Sequence, residues 1–215
     1  MGLLDDFIFW MSPKRVVDGI PVAVLLVSSD EEREAAFFKI DAAMRLIATY
    51  APIRRQQVLR DVRRILVCGE PTARGAFLSG SRTCDLFFDW LLSAETTPQE
   101  VAATIVHEAQ HGRLLRLGFG YGPDKRHRVE RICYRATRAF ARRIPAGDGL
   151  IERAEAGMSL DADACSDAAY FERCAQVVGR LKLPHWYTAA LSKVLKWRAR
   201  RAVRRRSRTQ PERRK

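Results

Sequence analysis

The chain has 215 residues, 47% of them hydrophobic, which suits one ordinary domain with an appendage and excludes a wholly disordered polymer. The net charge of +13 looks like a nucleic-acid signal, but residues 193–215 hold twelve Lys or Arg against one acid, a net +11. The other 192 residues carry only +2, so basicity belongs to the tail and not to the domain.

The first predicted element is an apolar, β-branched run over residues 19–27, read as a buried strand. Ser28, Ser29 and Asp30 then open a helix to about Tyr50, with Ala36, Phe37, Ile40, Ala43, Met44 and Ile47 on one face. Pro52 ends it, because a proline ring disfavours a helical residue before it. A shorter helix is expected over residues 55–63. Three short strands follow at 65–68, 75–78 and 84–89, the last two flanking the turn-rich Ser79-Gly80-Ser81-Arg82 as a hairpin.

Thr97-Pro98-Gln99-Glu100 is a capping box with proline at the first helical position. The helix it opens runs to the stop signal Gly118, and the glycine-rich loop 118–124 follows. A further helix is expected over residues 125–143, ending before Pro145. Residues 146–164 suggest no element. A helix over 166–181 and an amphipathic segment from Pro184 complete the pattern, and from Arg198 the chain is basic and low in complexity. The expected division is a main domain over 1–145, a helical extension over 146–197 and a basic, disordered tail over 198–215.

The long central helix carries His107-Glu108-Ala109-Gln110-His111. Histidines four apart lie one turn apart on one face, where both imidazoles reach a single tetrahedral zinc ion. Glu108 sits beside the pair, positioned as a general base for water activated by the metal.

Around this motif, residues 75–140 resemble the catalytic core of zinc-dependent metallopeptidases. Thr104 and the uncharged Ile105, Ala109, Gln110 and Gly112 match the usual form, while Arg113 departs from it, standing where an apolar residue is usual. The metzincin extension fails at Leu114 and Leu117, where glycine and a third histidine belong. The gluzincin form takes its third ligand, a glutamate, from the following helix. Glu130, nineteen residues after His111, fills that place, with His127 and Asp124 as alternatives. Against it stands an ordinary surface acid paired with Arg126, Arg128 or Arg131. Where some gluzincins carry an aspartate that orients a ligating histidine, this chain has Tyr134.

The resemblance implies an α+β fold: a small mixed sheet whose edge strand packs on the HExxH helix, a following glutamate-bearing helix, and C-terminal helices. It implies Zn2+ as cofactor, a peptide or protein substrate laid against the edge strand, and hydrolysis of an amide bond. The oxyanion donor is left among Tyr121, His127, Arg131 and Tyr134. The competing expectation is an inactive zincin-like binding protein that acts through its basic tail on an anionic membrane surface or on nucleic acid. The cluster Phe7, Phe9 and Trp10 is expected to pack on the domain, the alternative being a membrane foot. Five unpaired-looking cysteines, Cys68, Cys84, Cys133, Cys165 and Cys174, and no evident secretory signal give a cytoplasmic expectation, with peripheral membrane attachment through the tail.

Overall fold

The computed structural model describes residues 9–10, 12–25, 29–68, 74–122 and 125–160, with Lys193, Trp197 and Arg200. The expected helix over 166–181 lies outside the described residues, as do Phe7, Asp124 and nearly all of the tail. The first strand, β1 (Lys14–Val17), forms a hairpin with β2 (Ile20–Val24). Asp18 and Gly19 turn it with φ of 48° and 84°, the two positive values that a type I′ turn requires. The Asp18 carboxylate takes two hydrogen bonds from Arg55, at 2.6 and 2.7 Å, which tie the turn to a helix.

Helix α1 (Asp30–Tyr50) starts at Ser29, whose hydroxyl accepts from the Glu32 N–H at 3.2 Å. It buries the face marked by its apolar period, Ala36 to Ile47. Helix α2 (Pro52–Asp61) begins three residues earlier than the polar pattern suggests, because proline is favoured in a first turn. Strand β3 (Arg64–Cys68), the hairpin of β4 (Gly75–Leu78) with β5 (Thr83–Phe87), and a short helix α3 (Phe88–Leu92) follow. The expected strand over 84–89 therefore stops at Phe87. Helices α4 (Pro98–Arg116), α5 (Arg126–Ala141) and α6 (Asp148–Ser159) complete the described elements. Helix α6 lies in the stretch to which the sequence assigned nothing.

The architecture is mixed α and β, with one open five-stranded sheet in the order β1-β2-β3-β5-β4. β2, β3 and β5 are parallel, and β1 and β4 run antiparallel at the two edges. Alternate residues Val22, Val24, Ile65, Val67, Cys84 and Leu86 form one face, buried with α1 and α4 in a core that includes Ile40, Met44 and Ile105. At the N-terminus, the Phe9 ring lies 4.7 Å from the Arg64 guanidinium, and Trp10 is exposed.

The chain divides into two units, Met1–Tyr121 with Arg128–Ser159, and Gly122–His127 with Leu160–Lys215. The first holds the sheet and the core. Within the second, His127 Nε2 lies 2.8 Å from the Leu160 carbonyl oxygen. Among the described residues no helix is long and apolar enough to cross a membrane.

Candidate metal centre

Helix α4 is fixed at both ends by local chemistry. At its start the Glu100 N–H donates to the Thr97 hydroxyl at 3.3 Å, and the Thr97 N–H donates to Glu100 Oε2 at 3.0 Å. Glu100 also accepts from Arg74 at 3.1 Å and from Arg153 of α6 at 2.7 Å, so the cap is a junction between helices. At its end, the N–H of Phe119 reaches the Leu114 carbonyl and that of Gly118 reaches Leu115, at 2.9 and 3.0 Å. This pair of bonds is a Schellman motif, and its left-handed residue is Gly118, at φ 78°. The chain turns away there and returns as α5.

Two glycines bring the edge strand and α4 close. A Cβ at position 75 would stand 2.8 Å from Thr104 Cγ2, 3.0 Å from the Asp85 carbonyl oxygen and 3.4 Å from Glu108 Cγ. A Cβ at position 112 would stand 2.8 Å from the Asp61 carbonyl oxygen and 3.1 Å from the Phe77 ring. Residues 75 and 77 share a face of β4, so this face runs along the helix past Glu108.

His107, His111 and Glu130 converge. Glu130 Oε2 lies 3.3 Å from His107 Nε2, and Oε1 lies 3.7 Å from His111 Nε2. Three ligand atoms bound tetrahedrally at zinc distances stand about 3.3–3.4 Å apart. The His107 contact matches that spacing, and the His111 contact, made by the other carboxylate oxygen, is longer. Among the described residues, the three that each offer a ligand atom within 4.8 Å of the others are His107, His111 and Cys133, one turn after Glu130; Glu130 is not in that group.

Thr137, a further turn along α5, supplies a second argument. Its hydroxyl donates to the Cys133 carbonyl at 3.1 Å and lies 3.3 Å from His107 Nδ1. With its one proton so used, the hydroxyl accepts from Nδ1–H, which leaves Nε2 as a bare lone pair. That lone pair faces a carboxylate oxygen, and two acceptors at 3.3 Å need a cation between them, either a proton or a metal ion. Without metal, burial depresses the imidazole's affinity for a proton, but the Glu130 hydrogen bond and the charges of Glu108 and Glu130 outweigh it and raise the His107 pKa. Burial likewise opposes ionisation of Glu130, yet the His107 hydrogen bond and the two imidazoles hold its carboxyl well below the usual range.

Glu108 is buried, and burial pushes its carboxyl up to about 7, against the charge of His107 and with that of Glu130 and Asp85. A carboxylate poised near neutrality is suited to both accepting and returning a proton. Aromatic rings wall the histidines. Tyr134 meets His107 edge-on at 4.7 Å between centroids, and Tyr121 meets His111 at 5.3 Å. The Tyr121 hydroxyl also donates to Glu130 Oε1. Helix α6 presents Gly157 to the Tyr134 ring, where a Cβ would come within 2.5 Å.

Thus the structure brings Glu130 to both imidazoles. Tyr121 and Tyr134 flank the two histidines, and Arg131 is exposed. Cys133 and Thr137 escape the sequence reading, although both stand at helical spacing from Glu130, three and seven residues on. Comparisons with family models, curated proteins and solved structures find no match.

Proposed function

We propose that this chain is a zinc-dependent hydrolase that cleaves peptide or related amide bonds, with a gluzincin-like site. The observation that carries the reading is the convergence of the Glu130 carboxylate on both histidines, its two oxygens 3.3 and 3.7 Å from the Nε2 atoms of His107 and His111. Zinc held there supplies Lewis acidity, lowering the pKa of water and polarising a carbonyl. Glu108 accepts the proton as water attacks and returns it to the leaving amine. Thr137 holds His107 in the tautomer that offers Nε2, and Tyr134 restrains the same ring. Tyr121 and Tyr134 touch the ligands, and the donor to the developing oxyanion is drawn from these two.

The substrate strand belongs beside β4. This strand is the last in the sheet order, paired on one side with β5, and its Gly75 lies against Glu108. Main-chain pairing along such an edge binds an extended peptide with little demand on sequence. The basic tail adds an anion-attracting segment, with anionic membrane or nucleic acid as its non-specific partners.

Cys133 favours a second reading. A fourth protein ligand would close the site and make the zinc structural, since catalytic zinc keeps an open position. We prefer the open site, because the Glu130 carboxylate already meets both imidazoles and burial pushes the Cys133 thiol up, toward its protonated form. Replacement of Cys133 by Ala separates the two. Zinc affinity that is unchanged supports the open site, and a loss of a hundredfold or more supports the closed one. For the hydrolase reading itself, a peptide-library cleavage assay on the zinc-loaded protein and its Glu108→Gln variant is the test. Cleavage by the wild type alone supports it, and equal cleavage by both overturns it.

A further inference from the structure

Arg113, which stands where an apolar residue is usual beside the HExxH motif, lies two residues after His111 and so about 200° round the helix from it. It does not face the metal centre. It lines a pocket of about 330 Å³ bounded by α2, α4 and the end of α5. Four arginines line this pocket, Arg54, Arg60, Arg113 and Arg143, and no acid does.

Arg60 is committed to Asp61, at 2.9 Å. The other three have no carboxylate partner among the described residues. Arg54 is held in place by neutral groups instead. It donates to Gln57 at 2.7 Å and to Gln110 at 3.2 Å, and the buried Gln57 amide bonds Gln110 at 3.0 Å. Burial and the like charges of Arg113 and Arg143 lower the Arg54 pKa, so the cluster repels itself until an anion enters. The N-terminus of α2 opens on the same pocket through Ala51 and Ile53, and no side chain caps it, so its dipole adds to the positive potential. The exposed Ile53 and Ala139 give the pocket an apolar wall.

We propose that this pocket binds a phosphomonoester carried on a small, partly apolar molecule, at a site separate from the metal centre. Guanidinium forks match the paired oxygens of a phosphate. The volume lies at the lower end of the range for small-molecule sites and exceeds the needs of a bare phosphate ion. The organic part of the ligand then rests on Ile53 and Ala139. Arg113 is present, on this account, because the outward side of the motif helix serves a second ligand.

The test uses full-length protein at constant ionic strength, titrated calorimetrically with orthophosphate and phenyl phosphate. The variants are Arg113→Leu, Arg143→Ala and the double replacement, both residues being exposed and outside the metal site. The expected result is saturable binding, tighter for phenyl phosphate, weakened at least tenfold in the double variant while zinc content stays unchanged. Should the double variant not fold, Arg143→Ala alone decides by the same criterion. Binding is also expected to persist in His107→Ala. No saturable binding to the wild type, equal binding by the double variant, or loss of binding in His107→Ala would each overturn the proposal. The second of these would assign the anion to the basic tail, and the third to the metal.

Discussion

The hydroxyl of Thr137 lies 3.3 Å from Nδ1 of His107, and its own proton is spent on the Cys133 carbonyl. One threonine therefore favours the imidazole tautomer that offers Nε2, the nitrogen facing Glu130. Thr137→Val keeps the shape and removes the acceptor. Zinc affinity is expected to fall roughly 10–100-fold, the usual cost of losing such a partner, with Thr137→Ser restoring most of it. Competitive titration with a chromogenic chelator reads this directly. Equal affinity in Thr137→Val would show that the hydroxyl does not orient the ligand.

Glu108 touches no ligand atom in the arrangement described, so its chemistry separates from metal binding. Glu108→Gln is expected to retain zinc and lower turnover by about 10²–10⁴-fold, the range for a lost general base. Single-turnover kinetics on whichever peptide the wild type cleaves provides the readout. Loss of zinc together with activity would mean that Glu108 acts in holding the site and not in proton transfer.

Gly112 has no room for a side chain, since a Cβ there meets backbone on one side and the Phe77 ring on the other. Gly112→Ala gains about 1 kcal/mol of helix propensity. Overpacking against a carbonyl that cannot rotate away costs about 1–3 kcal/mol, and more when backbone must move. Net destabilisation by about 1 kcal/mol or more is expected in urea unfolding. A stabilised variant would mean that β4 and α4 separate without cost.

Asp61 has a fully buried side chain that accepts from Arg60 at 2.9 Å and from Arg116 at 2.7 Å. Burial alone would raise its pKa, but these two hydrogen bonds and charges outweigh burial and lower it. A carboxyl depressed in the folded state contributes fully above its unfolded value of about 3.9. That contribution is lost as pH falls below this value and through the folded one. Asp61→Asn is therefore expected to cost about 2 kcal/mol at pH 7, a figure discounted for the half-exposed arginines. The difference between variant and wild type shrinks by pH 3. A gap that is constant from pH 7 to pH 3 would contradict the ion-pair account.

Local chemistry made much of this molecule legible. The Thr97–Glu100 capping box and Gly118 delimit α4, and the buried positions of α1 follow their apolar period. The Asp18-Gly19 turn carries a hairpin signal as strong as any in the chain, yet β1 is easily passed over because three of its four residues are exposed. Cys133 and Thr137 depend on the angle at which α5 crosses α4, which no local pattern specifies. The arginine pocket is still less readable, because Arg54, Arg113 and Arg143 come from three separate parts of the chain. Helix α6 lacks a strong apolar stripe and is held by Leu150, Ala154 and the Arg153–Glu100 and Arg138–Glu155 ion pairs.

The central claim is that His107, His111 and Glu130 hold one zinc ion. Elemental analysis of zinc per chain, after a mild chelator wash, in the wild type, His107→Ala and Glu130→Ala tests it most directly. The account predicts about one zinc in the wild type, none in His107→Ala and a weakened, chelator-sensitive fraction in Glu130→Ala. A folded wild type that takes up no zinc when supplied with it, or a Glu130→Ala protein that holds zinc as tightly as the wild type, would contradict it.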